Sequence, residues 1–324
     1  MNGSYCCALE PGDRQDQGRH LFAGCHMTIA DSPWTVTTHS FELGPIRIAV
    51  SKNAGPRILS YVMHDGPEFL ASLPDAGIDH PNCRYYRFLG GHRLWRSPET
   101  PSITYEPDDS DVKLSEFDNG VDMVGAADSA GIVKHISIRQ EGDNTVIRHR
   151  LVNEGRATVH TAPWAITQMA LGGTAILPQT KKRADEHGLL PNRTLVLWPY
   201  TDLRAAEFTF GLDRIAVEGS TRPSRMKIGQ PNRRGWMAYV LGHQVFVKWS
   251  AVHDDSATYT DLGASTQIYR DERFVELETI APTAAVAVGE DVAHTEVWQI
   301  IEVGDRPLDA ILAELPEEPT GSVL

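Results

Sequence analysis

Glu276 and Glu278 stand two residues apart in the stretch FVELETIAP, residues 274–282. On a β-strand, side chains two apart share a face. Both carboxylates therefore point one way, while Val275 and Leu277 point the other. Such a pair is either a solvated strand face or the acidic floor of a cleft. If both groups are dehydrated, each raises the pKa of the other. A carboxylate with a raised pKa is a better base towards a sugar hydroxyl. The second concentration of reactive types is YYRFLGGHRLWRSPE, residues 85–99. It sets Arg87, His92, Arg93, Trp95, Arg96 and Glu99 around Gly90-Gly91. Arginines offer rigid forks of donors, an indole can stack on the apolar C–H face of a sugar ring, and a double glycine lets backbone approach a ligand closely. The competing reading is a basic edge strand with a buried indole, and the two stand level.

Other chemistries find less support. The thirteen histidines are dispersed and show no zinc-binding spacing. His294 and Glu296 lie two apart on one expected strand, but two ligands are too few for a structural site, and a salt-linked strand pair explains them better. There is no phosphate-binding glycine loop ahead of a helix and no nucleophile elbow. The expectation is chemistry without metal or organic cofactor. Trp164, Trp198, Trp236, Trp249 and Trp298 each read best as core. Asp202, Lys227, Gln230 and Asn232 read as loop residues that could line a rim.

These groups must be positioned by strands. HSFELGPIRIAVS sets Ile46, Ile48 and Val50 on one face, with Gly44-Pro45 as punctuation. RILSYVMHDGPEFL reads as two strands about an Asp-Gly turn. IVKHISIRQEGDNTVIRHRLVNEG repeats the pattern, with Ile147 and His149 sharing a face. MAYVLGHQVFVKWSAV turns at Gly242-His243, and AHTEVWQIIEV is a further strand. The clearest helical period is DRPLDAILAELPEE: Asp305 can cap, Leu308, Ile311, Leu312 and Leu315 form a stripe, and Pro316 ends it. Many short strands and one terminal helix predict an all-β sandwich. Residues 34–316 read as a single domain, residues 1–33 as a loosely attached extension, and residues 317–324 as a frayed tail. Met27 is a plausible alternative start.

Bulk properties limit the partners. A formal net charge of −13 repels phosphate backbones, which argues against nucleic acid. No apolar run reaches transmembrane length, so no membrane partner is expected. Cys6, Cys7, Cys25 and Cys83 form no C-x-x-C pair, and a reducing, cytoplasmic location is the simplest expectation.

Several fragments resemble one superfamily. NAGPRILSY (53–61) resembles the N-terminal segment of aldose 1-epimerases, the galactose mutarotase-like superfamily. RFLGGHRLW resembles the Gly-Gly segment of the related hexose-6-phosphate epimerases. ELETIAP resembles the segment that carries the mutarotase catalytic glutamate. The fragments fall in the family's order over roughly residues 41–302, and they look most like an uncharacterised bacterial branch. The resemblance implies a large antiparallel β-supersandwich with a sugar cleft on one sheet face. It implies Glu278 as general base and Arg57 as a substrate-binding residue. Arg87, Arg93, Trp95, Arg96 and Glu276 join Arg57 as candidate sugar contacts. Mutarotases also carry a histidine that protonates the ring oxygen. The corresponding stretch here, TAPWAITQMALGG, offers only Trp164, Ala165, Thr167 or Gln168. His92 is the stand-in acid on this reading, although no matched motif places it there. Three functions follow: interconversion of sugar anomers, sugar binding without turnover, or another sugar reaction such as glycoside cleavage, which in its retaining form needs two carboxyls about 5 Å apart.

Overall fold

A computed structural model describes residues 35–80, 84–254 and 256–319. The four cysteines and the 1–33 extension lie outside the described residues. In chain order the strands are β1 (Thr38–Leu43), β2 (Ile46–Ser51), β3 (Arg57–Met63), β4 (Ser72–Asp79), β5 (Tyr85–Gly90), β6 (His92–Ser97), β7 (Lys113–Phe117), β8 (Gly120–Ala127), β9 (Ile132–Glu141), β10 (Asn144–Asn153) and β11 (Val159–Met169). They continue with β12 (Thr174–Pro178), β13 (Val196–Leu197), β14 (Phe208–Phe210), β15 (Arg214–Glu218), β16 (Met226–Gln230), β17 (Trp236–Leu241), β18 (Gln244–Ser250), β19 (Thr266–Arg270), β20 (Val275–Ile280), β21 (Ala284–Val286) and β22 (Asp291–Glu302). Among the described residues the α-helices are α1 (Pro101–Thr104) and α2 (Leu308–Glu314).

Two large sheets face each other. The first runs β1-β2-β3-β6-β11-β20-β19-β16-β13, with β21 paired to the far end of β11. The second runs β14-β15-β12-β17-β18-β22-β10-β9-β8-β7. A separate ribbon, β4-β5, lies beside β6. Among the described residues the registered pairings, such as β11 with β20, are antiparallel. The all-β sandwich expected from the strand pattern is the architecture observed.

The alternation in the sequence decides what lies between the sheets. Ile48, Val50, Ile147, Val275 and Leu277 are fully buried members of the inter-sheet core. Each such side chain contributes about 1.5–3 kcal/mol by leaving water. The hairpins at Gly142-Asp143 and Gly242-His243 form as expected. The Asp65-Gly66 hairpin does not. After β3 the chain turns and runs without strand pairing to Leu70, because the Glu68 carboxylate takes the place of a partner strand. Its oxygens accept from the amides of Tyr61 (3.1 Å) and Leu70 (2.9 Å) and from Ser60 Oγ (2.5 Å).

Helix α2 covers the outer face of the second sheet. Ile311 and Leu315 pack in one cluster with Trp236 and Trp249. Its N-cap is Pro307, not Asp305. Asp305 Oδ1 instead lies 2.9 Å from His243 Nδ1. Glu317, assigned to the tail by sequence, is held by Arg234 and by Trp236 Nε1.

The double glycine serves the fold. Gly90 (φ +85°) and Gly91 (φ +71°) occupy the left-handed region. A Cβ on Gly90 would lie 1.9 Å from the Ala71 carbonyl oxygen, and one on Gly91 would lie 2.1 Å from that of Ile58. The close approach is to neighbouring backbone, not to a ligand. Gly90→Ala is therefore expected to cost ~3 kcal/mol or more in folding free energy, read as a fall in the urea midpoint at unchanged slope.

Candidate functional site

The outward face of the first sheet carries a registered block of polar and aromatic side chains. Antiparallel partners lie on the same face, so the cross-strand pairs define rows. One row runs Arg57, Arg93, Ile166, Glu278, Gln267 across β3, β6, β11, β20 and β19. The next runs Gln168, Glu276, Tyr269, Lys227 across β11, β20, β19 and β16. Trp95, Trp164 and Ile280 form a third. Glu276 and Glu278 do share a face, while Val275 and Leu277 point into the core.

This face is not a solvated one. Glu278 is fully buried, and Lys227 and Glu276 retain 5 % and 8 % exposure. Glu278 Oε2 accepts from Trp164 Nε1 at 2.8 Å and from Lys227 Nζ at 2.9 Å. Its Oε1 has no partner among the described residues. Burial raises the Glu278 carboxyl, Lys227 pulls it back, and Glu276 adds to the rise; the outcome is a pKa of about 7. Burial lowers the Lys227 ammonium, but Glu278, Glu276 and Glu99 together outweigh it and the net shift is upward. The ammonium also lies against two indoles, 4.8 Å from the Trp164 ring and 4.9 Å from that of Trp198.

Glu276 is held from two sides. Arg93 Nη2 and Gln168 Nε2 both donate to its Oε1 at 2.9 Å. The Arg93 guanidinium stacks 4.1 Å from the Trp95 ring. Trp95 meets Trp164 edge-on at 5.5 Å and donates to Tyr86 Oη at 2.8 Å. Around this floor stand half-buried aromatics: Phe88, Tyr105, Trp198, Tyr200 and Tyr269. Tyr105 Oη donates to the exposed Glu99. The arrangement is an acidic and cationic floor inside an aromatic rim, and it can engage a ligand with both hydroxyls and apolar C–H faces.

The sequence candidates divide between this floor and other places. Glu276, Glu278, Arg93 and Trp95 come together. Arg57 lies on the same face but is fully buried and heavily committed. Its guanidinium donates to Tyr86 Oη (2.7 Å), the Phe88 carbonyl (2.8 Å) and both Asp108 oxygens (3.0 Å). It fastens β5 to the sheet, which corrects the expectation of a substrate contact. Arg87 alternates with Tyr86 and Phe88 along β5 and approaches Asp109 at 3.9 Å. Arg96 has the parity of His92 and donates to Asp128 at 2.6 Å.

His92 is the largest correction. It alternates with Arg93 on β6 and faces the inter-sheet core, so the sheet separates it from Glu278. There it joins a buried polar cluster. His149 Nδ1 lies 3.1 Å from the His294 carbonyl, which only accepts, so Nδ1 carries the proton. His149 Nε2 then accepts from His92 Nε2 at 2.7 Å. His92 Nδ1 accepts from Thr167 Oγ1 at 2.9 Å, and Thr167 accepts in turn from Lys248 at 3.1 Å. Lys248 also donates to Glu296 (2.7 Å) and to the Leu277 carbonyl (3.1 Å). Three acceptors match three ammonium protons, which supports a charged lysine although burial lowers its pKa. Glu296 further accepts from Thr279 and, at 2.8 Å, from Trp298 Nε1. Ligating atoms of His92, His149 and Glu296 lie within 4.8 Å of one another. They could hold a divalent cation only if Lys248 released Glu296, because the ammonium already supplies the positive charge.

Trp164, read as core, is buried in a cluster with Trp95 and Ile280 on the carboxylate face. Trp198, also read as core, is half-buried at the rim, and Lys227, read as a loop residue that could line a rim, sits on β16 beside Glu278. Gln230 and Asn232, also read as rim, hold backbone carbonyls of Pro178 and Trp236. A groove of about 790 Å³ lies elsewhere, on the outer face of β7–β10 and β22, lined by residues such as Asp122, Arg139 and Arg148. Its exposed charges are those of an ordinary solvated sheet face; His135 Nε2 is buried there without a hydrogen-bond partner among the described residues, but no carboxylate–ammonium pair like that of the Glu278 floor accompanies it. Among the described residues no helix is long and apolar enough to cross a membrane.

No protein-family model and no curated protein matches this sequence. Solved structures do. An Escherichia coli K12 protein provisionally described as an aldose 1-epimerase superposes with a TM-score of 0.53 at 11 % identity, covering 83 % of this chain and 100 % of that one. The Slr1438 protein of Synechocystis sp. PCC 6803 gives 0.53 at 12 % identity, covering 86 % and 100 %. A galactose mutarotase-like protein from Lactobacillus casei gives 0.51 at 9 % identity, covering 82 % and 100 %. With two antiparallel sheets face to face over this much of the chain, the protein has the galactose mutarotase-like fold.

Proposed function

We propose that the protein binds a sugar on the Glu278 face of the first sheet and interconverts its anomers, with Glu278 as the base. The observation that carries this reading is the state of that carboxyl. It is fully buried, one oxygen is unpartnered, and its pKa is about 7. A base poised near neutrality suits removal of a proton from an anomeric hydroxyl. Loss of that proton lets the ring open, and reclosure on either face exchanges the anomers. Lys227, 2.9 Å from the carboxylate, offsets the negative charge that develops and donates a hydrogen bond towards the ring oxygen. The half-buried rim rings of Tyr105, Trp198 and Tyr200 provide apolar surface for the sugar ring. The fold's likeness to a provisional aldose 1-epimerase and a galactose mutarotase-like protein supports a sugar as the class of ligand.

A second reading, binding without turnover, is favoured by one specific feature. The hydrogen-bond partners of Glu278 among the described residues are Trp164 and Lys227, and no imidazole is one of them. Polarimetry on freshly dissolved aldoses separates the two. Equilibration faster than the buffer rate supports catalysis. A sugar-dependent rise in melting temperature with a buffer-like trace supports binding alone. A panel of common aldoses that shows neither effect rejects both.

A further inference from the structure

Two glutamines flank the carboxylates of the floor, and hydrogen-bond chemistry fixes how each presents itself. Gln267 lies directly across from Glu278, and Gln168 directly across from Glu276. Gln267 Nε2 donates to Asp261 Oδ2 at 2.7 Å, and Gln168 Nε2 donates to Glu276 Oε1 at 2.9 Å. A carboxylate can only accept, so neither amide can be turned round. Each Oε1 must face away from its carboxylate, and each is buried with no hydrogen-bond partner among the described residues. Glu278 Oε1 is in the same condition. Three buried oxygens on one sheet face thus lack donors. On the donor side, Arg93 keeps Nε and Nη1 buried and unpartnered. Buried polar atoms are rarely left in this state without a reason.

We infer that Gln168 and Gln267 determine ligand specificity, each accepting a hydroxyl proton from a neutral polyol seated on the Glu278 face. The inference rests on the reading that a sugar occupies this face, and it adds the residues that select it. A ligand that both donates and accepts, as a hydroxyl does, is required because three of the unpartnered atoms are acceptors and Arg93 Nε and Nη1 are donors. A neutral one is required because the floor's cations are already matched: Arg93 with Glu276 and Lys227 with Glu278, each at 2.9 Å. At the rim the Arg225 guanidinium lies 3.9 Å from the Tyr200 ring and Glu99 accepts from Tyr105, one charge of each sign. A phosphate or carboxylate placed against Gln168, Gln267 and Glu278 would set acceptor against acceptor. The support for Gln267 is itself unusual. Asp261, which holds the amide, has φ +51°, and Leu262 beside it has φ +57°. Two consecutive non-glycine residues in the left-handed region mark strain of the kind that persists where a side chain must be held in place.

The test is calorimetric titration of the full chain with D-glucose, D-galactose, their hexitols, the monodeoxy hexoses and glucose 6-phosphate. The expected result is binding of a neutral hexose or hexitol, weakened about tenfold when one particular hydroxyl is removed. Gln267→Met or Gln168→Met should weaken the parent sugar by a similar factor and lose no more on the matching deoxy sugar, as a shared hydrogen bond requires. The deoxy series on the unmodified protein needs no variant to fold. Equal binding across the deoxy series, binding confined to the phosphate ester, or variants that bind the parent sugar undiminished would each overturn the inference. Hexitols have no anomeric centre. Hexitol binding without anomer equilibration would sustain the glutamine assignment while the epimerase reading fails. Equilibration with a KM indifferent to both glutamines would do the reverse.

Discussion

Glu278→Gln is expected to slow anomer equilibration by at least ~100-fold, the low end of what a positioned base contributes. The argument starts from burial. Withdrawn from water, the carboxyl resists ionisation; Lys227 favours the charged form and Glu276 opposes it, leaving a pKa of about 7. The ionised form is the base, so kcat/KM should rise with pH through about 7 and level off above it. In Glu278→Gln that limb should vanish, because the amide does not titrate. Glu276→Gln should move the limb to lower pH, since it removes a negative neighbour that holds the Glu278 proton in place. Polarimetry or exchange NMR across pH 5.5 to 8.5 reads all three outcomes. A flat profile in the unmodified protein would remove Glu278 from the role of base.

Strand parity made much of this site legible in the sequence. The period of two placed Glu276 with Glu278 and sent Leu277 into the core, and the same alternation marked the face of Ile46, Ile48 and Val50. Parity within β6 was available too: counting from Arg93 to Trp95 puts both on the carboxylate face and leaves His92 and Arg96 on the other. What local pattern cannot supply is register between distant strands. Lys227 reaches Glu278 across 51 residues of chain and Trp164 reaches it across 114. Neither pairing leaves a trace in spacing. The indoles read as core because an indole in an apolar strand usually is, and Trp236, Trp249 and Trp298 are. Trp164 is buried too, in a cluster with Trp95 and Ile280, and it is the position of β11 between β6 and β20 that brings it against Glu278. The Gly90-Gly91 pair misled for a related reason. A double glycine signals close approach, and here the approaching partner is the protein's own backbone.

Acid is expected to unfold this protein from about pH 6 downward, and the buried cluster between the sheets is the reason. His92, His149 and His294 all have pKa values pushed down by burial, the last to about 3. In the unfolded chain each returns to about 6.5. Below that value the unfolded state binds protons that the folded state refuses, so stability falls as pH falls. The window opens near 6.5 and for His294 closes only near 3. Glu296 acts with the same sign at lower pH. Burial works to raise its carboxyl, but Lys248 at 2.7 Å and the imidazoles of His92, His149 and His294 together hold it below the usual range. Its contribution, complete above the unfolded carboxyl pKa of about 4.3, is therefore lost below it. Each imidazole that stays neutral removes up to about 1.4 kcal/mol per pH unit. His294 therefore removes about 1 kcal/mol between pH 6 and pH 5, and His92 and His149 add to that loss with the same sign. Urea denaturation at pH 7, 6 and 5 measures it directly. A loss below ~1 kcal/mol between pH 6 and 5 would mean that these rings accept protons inside the fold. The directed chain from Lys248 through Thr167 and His92 to His149 would then be wrong, because Thr167 can donate only to a neutral His92 and His92 only to a neutral His149.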